Sequence, residues 1–181
     1  VAVESGGYQA EQILLSAEQD SLLDPAVTGA EDATIAQVTS GFTAQRYFDG
    51  YMGLPSAGAI TSQFGTRRSY NHGALSTFHT GTDFGAGPGA PIVAPAAGVV
   101  ALTQPLPVRG NATLIDHGWG VYSGFWHQSE ILVKVGDVVT PGQLIGRVGS
   151  TGRSTGPHLH WELWVGGAQV DPLQWVQETF P

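Results

Sequence analysis

Six histidines stand in this chain of 181 residues, and all of them fall between positions 72 and 160. A lone histidine is most often a satisfied surface or core residue. A group of histidines beside an aspartate is a candidate metal or acid–base site. Two segments have that composition. In His158-Leu159-His160 the imidazoles alternate with an apolar residue, and alternate side chains of a strand share a face. They would lie about 7 Å apart at Cα, so that one binds a cation while the other stands beside it. In His79-Thr80-Gly81-Thr82-Asp83 the polar ends are separated by about 13 Å if the segment is extended. One glycine and two threonines make a poor helix. A shared ion therefore requires a bend, for which Gly81 would supply backbone freedom. Two neutral imidazoles and a carboxylate suit Zn²⁺. Three protein ligands leave the fourth tetrahedral position open to water, as catalytic rather than structural zinc sites do.

Other groups are weaker candidates. Glu162 shares a strand face with His158 and His160 and could hold a ligand from behind. Asp116 precedes His117 and is a candidate to orient an imidazole, with a surface carboxylate as the plainer reading. His127 ends the run Gly120–Trp126. In a regular strand it would share a face with Phe125 and Ser123, as a packed histidine does. His72 reads as a solvent-exposed loop residue, with a substrate contact as the alternative.

These residues must be positioned by short strands. From about Leu54 onward, apolar runs such as PIVAPAAGVVALT, ATLIDHG, GVYSGFWH, QLIGRVGS and HLHWELWV alternate with Gly and Pro punctuation. Short connections between such strands imply a mostly antiparallel sheet. The stretch ILVKVGDVVTPGQLIGRVGS has the rhythm of a lipoyl- or biotinyl-carrier hairpin, but Thr140-Pro141-Gly142 stands where a carrier needs lysine. It is read as a scaffold hairpin. Residues 1–53 differ in texture and are read as a helical or irregular arm, with an amphipathic helix over residues 8–23 ended by Asp24-Pro25. Residues 54–181 form the β domain.

Composition removes several functions. Seven basic residues against fifteen acidic ones, for a net charge of −8, argue against nucleic-acid binding. The absence of cysteine excludes disulfides, thiolate metal sites and a cysteine nucleophile. No run approaches 18 apolar residues, so no membrane span is expected. The opening VAVESGGYQA has neither the basic nor the apolar region of a signal peptide, so no signal or anchor segment is expected within this chain.

Taken together, HTGTD, FWHQSEILVKVGD and GSTGRSTGPHLHWEL resemble the lysostaphin/LytM-type metallopeptidases of the M23 family. The likeness runs from about Ile60 to Leu173, with FGTR, APAAGVV and VDP in the family's order. The resemblance implies an antiparallel β-sheet core, a duplicated hybrid motif, with loops walling a groove. It implies Zn²⁺ held by His79, Asp83 and His160, with His127 and His158 as the non-ligand catalytic pair. It implies peptides of bacterial peptidoglycan as substrates, either stem-peptide cross-links or bridges, and action outside the cytoplasm. A tyrosine assists near the zinc in some members, and Tyr70 is the candidate equivalent. The sequence departs from the family's frequent Tyr-x-His-Leu at Phe125-Trp126-His127-Gln128, keeping the histidine. Which of His127 and His158 is the general base is left open. Two other readings compete: a non-catalytic member that binds cell wall or activates another hydrolase, and a structural protein that uses the arm to hold a partner. Degenerate members usually lack a ligand, whereas all three are present here.

Overall fold

A computed structural model describes residues 7–180. The first elements are β1 (Ala10–Ile13), α1 (Ala17–Ser21) and α2 (Pro25–Thr39), followed by β2 (Ala59–Ser62), β3 (Arg67–Tyr70), β4 (Thr77–Phe78) and β5 (Thr82–Gly85). Next come β6 (Pro91–Val93), β7 (Gly98–Leu106), β8 (Gly110–Gly118), β9 (Val121–Gln128), β10 (Glu130–Ile131), β11 (Val138–Val139) and β12 (Leu144–Arg147). The last are β13 (His158–Val165), β14 (Ala168–Val170) and α3 (Pro172–Gln177).

The central sheet has the order β11-β7-β8-β9-β13-β5-β2, with β14 pairing the far end of β13. Its pairings are antiparallel, as short connections require. Alternation along β13 sorts its residues. Leu159, Trp161 and Leu163 enter the main core with Phe84, Phe125 and Ile145. Trp164 turns to the opposite face, where it packs with Trp126, Leu114 and Ile35 of α2. The main core also extends upstream of residue 54, since Phe48 and Met52 belong to it.

Two segments differ from the sequence reading. Residues 8–23 do not form one helix. Ala10–Ile13 pairs in parallel with Arg67–Tyr70, and a five-residue helix follows, closed by a reciprocal capping box between Ser16 and Gln19. A short isolated helix is marginal in water, and strand pairing outweighs its local periodicity here. Asp24-Pro25 begins a helix rather than ending one. The Asp24 carboxylate accepts from the Ala26 amide at 2.8 Å, and Pro25 occupies the first turn, where no amide donor is needed. The segment read as one scaffold hairpin is also divided. Ile131 pairs with Gly146, but Val138–Val139 leave to join β7.

Besides Ile35, a buried carboxylate fastens the second helix. Glu31, 3% exposed, accepts from the Val108 amide at 2.7 Å, the Arg109 amide at 3.1 Å and the Arg109 guanidinium at 2.8 Å. Glu31→Ala leaves the two amides unmatched and Arg109 with Asp32 alone, and should cost about 2–4 kcal/mol, read as a lower urea midpoint at unchanged slope.

His117 is also structural. It is fully buried, its Nδ1 donates to the Ala97 carbonyl at 2.7 Å, and its Nε2 accepts from the Ser123 hydroxyl at 2.9 Å. Burial lowers its pKa from 6.5 to about 4. Between those values the unfolded chain holds a proton that the folded chain does not. Stability is therefore complete above about pH 6.5 and declines toward pH 4, by about 3 kcal/mol from this group. His117→Gln should be less stable at pH 7 and lose less between pH 7 and 4.5, measured as paired urea midpoints.

Candidate metal and acid–base site

Three segments deliver the site. On β13, His158, His160 and Glu162 share the face opposite the main core. Register sets Asp83 of β5 directly across from His160, and directly opposed residues of neighbouring strands bring their Cβ atoms to about 5 Å. His79 precedes β5 and is pinned by backbone bonds: its amide donates to the Thr66 carbonyl and its carbonyl accepts from the Gly65 amide, each at 2.8 Å. The required bend lies over residues 79–81, between β4 and β5. The reason for Gly81 differs from the expected one. It is not among the glycines in the left-handed region. A Cβ there would stand 2.3 Å from the Trp161 carbonyl oxygen and 2.8 Å from His160 Nε2. Close packing of the bend against β13 demands glycine.

The result is a tight triangle. His79 Nε2 lies 3.1 Å from Asp83 Oδ1 and 2.9 Å from His160 Nδ1, and His160 Nδ1 lies 2.7 Å from Asp83 Oδ1. Each ligand is also held from behind. His79 Nδ1 lies 3.0 Å from the Gln63 carbonyl, which can only accept, so Nδ1 carries the proton and Nε2 presents a lone pair. The second oxygen of Asp83 accepts from Arg68 at 2.8 Å. His160 Nε2 donates to Glu162 at 2.9 Å, which turns Nδ1 toward the triangle.

Electrostatics explain how these atoms tolerate one another. Burial alone would lower His160, but the Asp83 and Glu162 carboxylates outweigh it and raise the imidazole above its ordinary value. Burial opposes the charge of Asp83 as well. The neighbouring imidazoles of His160 and His79 win and hold the carboxylate well below the usual range. Burial also works against Glu162, yet its bond to His160 brings it to about 2, with Arg109 and Thr80 assisting. For His79 burial dominates and lowers it. The triangle thus needs positive charge at its centre. A proton on His160 Nδ1 can supply it, and so can a divalent cation that displaces that proton. Two nitrogens and one carboxylate oxygen, each fixed from behind, fit such a cation.

His127 reaches the site by a departure from strand geometry. Between Asn111–Thr113 of β8 and Phe125–Gln128 of β9 the register slips, leaving an extra residue on β9. His127 itself has φ +60°. This bulge breaks alternation, so His127 does not take the face of Phe125 as a regular strand predicts. Its ring lies 4.8 Å from that of His158 and 6.3 Å from that of His160, between centroids. Bulges often re-aim a side chain in this way. His127 Nδ1 donates to the Thr151 carbonyl and His158 Nδ1 to the Gly156 carbonyl, each at 2.8 Å. Both rings therefore carry a bare Nε2, and that of His158 stands 3.8 Å from Asp83 Oδ1. Burial, with His158 and His160 adding to it, lowers His127 to about 3 and keeps it neutral.

Asp83, His127, His158 and His160 border one cleft of about 670 Å³, with His79 buried behind them. Tyr70 lines it without touching the triangle; its ring lies under the Arg153 guanidinium at 5.1 Å. Glu162 backs His160, as described. Asp116 is placed elsewhere: it accepts from the Thr43 hydroxyl and the Gly118 amide, and the His117 ring next to it is held by Ala97 and Ser123 instead. It orients a loop, not an imidazole. His72 bonds Gln12 outside the cleft. Sequence reasoning missed Arg68, Ser62 and Glu11. Arg68 joins Asp83 to Glu11 of the arm, and Ser62 touches both Glu11 and His79. No local pattern marks them, because strand pairing alone brings Glu11 beside Arg68.

A sheet-built cleft with a carboxylate–imidazole triangle at its base and two further imidazoles alongside is the class of site that can seat a metal ion beside acid–base groups. Comparison with known proteins gives the family. The sequence profile of Peptidase family M23 matches residues 77–172, and the chain belongs to that family. It is 41% identical over 135 residues to the peptidoglycan DD-endopeptidase ShyA of Vibrio cholerae, covering 75% of this chain and 31% of that protein. The chain spans about a third of the length of the curated relatives it matches first. Among solved structures, an M23 peptidase from Pseudomonas aeruginosa superposes with a TM-score of 0.73 at 34% identity, covering 87% of this chain and 63% of that one. A zinc-containing peptidase from Vibrio cholerae superposes with a TM-score of 0.64 at 36% identity, covering 71% and 40%.

Gly81→Ala should shift the bend or push His160 aside. The expected outcome is a folded chain whose affinity for added Zn²⁺ falls about tenfold or more, checked by metal titration beside a thermal melt.

Proposed function

We propose that this chain is the catalytic part of a zinc-dependent endopeptidase that hydrolyses peptide bonds in bacterial peptidoglycan, acting outside the cytoplasm. The observation that carries the reading is the triangle of His79 Nε2, Asp83 Oδ1 and His160 Nδ1, 2.7–3.1 Å on a side, beside two imidazoles whose bare nitrogens share its cleft. The relatives named as peptidoglycan endopeptidases supply the substrate class. The functional unit is taken as residues 54–181, with the preceding residues as an arm from which Ile13, Leu15 and Leu23 line the cleft.

His79, Asp83 and His160 would hold the metal. Zinc bound there supplies Lewis acidity, polarising a scissile carbonyl and lowering the pKa of a water to about 7. The chain's own residues do the rest. His127 and His158 each have Nδ1 committed to a backbone carbonyl, so Nε2 is the atom that accepts or returns a proton. One takes a proton from the attacking water and delivers it to the departing amine. The other, when it carries a proton on Nε2 as an imidazolium, donates toward the oxygen that gains charge in the transition state. The two rings are close enough to exchange these duties across one reacting carbon. Glu162 and Arg68 keep His160 and Asp83 in their ligating poses.

Among the described residues, no helix is long and apolar enough to cross a membrane. Placement outside the cytoplasm therefore rests on the substrate.

Four variants test the reading. His160→Ala and Asp83→Ala should lose bound zinc and activity together. His127→Ala and His158→Ala should retain zinc while turnover on purified peptidoglycan falls at least a hundredfold. Elemental analysis alongside a fragment-release assay checks this, and full activity in His158→Ala would sink the assignment.

A further inference from the structure

Three arginines line the cleft, and two of them are engaged by carboxylates. Arg68 is paired with Glu11 and Asp83, and Arg109 with Glu31 and Asp32. The acidic residues of the lining are likewise committed: Asp83 to Arg68 and the imidazoles, Asp32 to Arg109, and Glu162 to His160 and Thr80. Arg153 is the exception. Among the described residues, no carboxylate pairs with it. Its one guanidinium hydrogen bond is a 3.5 Å contact from Nη1 to the Leu22 carbonyl of the arm. The Tyr70 ring at 5.1 Å steadies the guanidinium by a contact that occupies none of its N–H donors. Its backbone is fixed too, the Arg153 amide donating to the Val108 carbonyl at 2.8 Å. The next residue, Ser154, bonds His158 Nδ1 at 3.3 Å, which ties this loop to the reacting end of the cleft.

A planar, always-charged fork held in place with its donors nearly free is suited to a carboxylate, which it can grip with two parallel bonds. We propose that Arg153 is a substrate-anchoring residue that binds a free carboxylate of the peptide, with Tyr70 as its platform. This deepens the endopeptidase reading and rests on it. The anchor selects peptides by charge at a point away from the scissile bond. Amidation of that carboxylate weakens binding and leaves the chemical step alone.

The test uses the full chain and three synthetic cross-linked peptides: one with all carboxylates free, one amidated at its chain terminus and one amidated at its acidic side chain. Wild type, Arg153→Met and Arg153→Lys are compared by KM and kcat. Binding is measured separately by calorimetry in a His158→Ala background. Arg153→Met should raise KM and Kd for the free-acid peptide about tenfold or more, with kcat within about twofold and an unchanged melting temperature. One of the two amides should bind wild type as weakly as the free acid binds Arg153→Met, and the substitution should cost it nothing further. That amide identifies which carboxylate is held. Arg153→Lys should fall between, keeping charge but not the fork. Equal losses on all three peptides, or no loss on the free acid, would overturn the anchor. The two readings fail separately. Hydrolysis by wild type without discrimination among the peptides removes the anchor alone. Carboxylate-dependent binding without hydrolysis removes the endopeptidase and keeps the anchor.

Discussion

The structure is organised around the mutual crowding of one carboxylate oxygen and two imidazole nitrogens. Three electron-rich atoms at 2.7–3.1 Å repel unless a positive centre lies among them. Nothing in a loose chain would hold them so. The fold does it with three rigid devices: the antiparallel register that sets Asp83 opposite His160, the backbone bonds that pin His79 to residues 65 and 66, and a glycine bend that lies against β13. Each member of the triangle is then locked from behind by Gln63, Arg68 or Glu162, so its rotamer and hydrogen-bond state are set by the fold itself.

The imidazole pair is arranged by a second logic. His158 belongs to the same strand as His160 and inherits its face from simple alternation. His127 comes from the neighbouring strand and is turned into the cleft by a bulge and a left-handed backbone. Non-glycine residues adopt that conformation at a cost, and they persist in it where the surroundings over-determine it. Here the Thr151 carbonyl and the buried Gln128 side chain, bonded to Thr113 and to the Phe125 carbonyl, hold the bulge on both sides. The outcome is an imidazole kept neutral by burial, with its Nε2 lone pair left free beside a charged centre.

The arm is part of the site's surroundings rather than an appendage. Glu11 reaches Arg68, which holds Asp83, so a residue of the first strand is two contacts from a ligand. Ile13, Leu15 and Leu23 line the cleft, and Gln19 donates to the Ser154 carbonyl beside His158. Glu31 fastens the second helix to the loop that begins β8. The cleft is therefore lined jointly by these early residues and by the strands that follow.

Much of this was legible in the residues themselves. Alternation in His158–Val165 assigned both faces of β13 correctly, because a strand buried on one apolar face has only one workable register. The spacing of His79 and Asp83 demanded a bend, since no regular element brings residues four apart together with those neighbours. Local sequence misled where long-range pairing won: the first strand displaced a helix, and Asp24-Pro25 proved to be a start signal that reads equally well as a stop. It was silent about the bulge at His127, about Arg68 behind Asp83, and about the true reason for Gly81. Those depend on which strand lies next to which, between residues far apart along the chain. Chemical identity and local periodicity are properties of neighbours in sequence, so the sequence by itself determined the ligand types and the strand faces. Proximity across the sheet arises only when the whole core closes, so the tertiary structure alone decided which groups hold the ligands and where the second imidazole points.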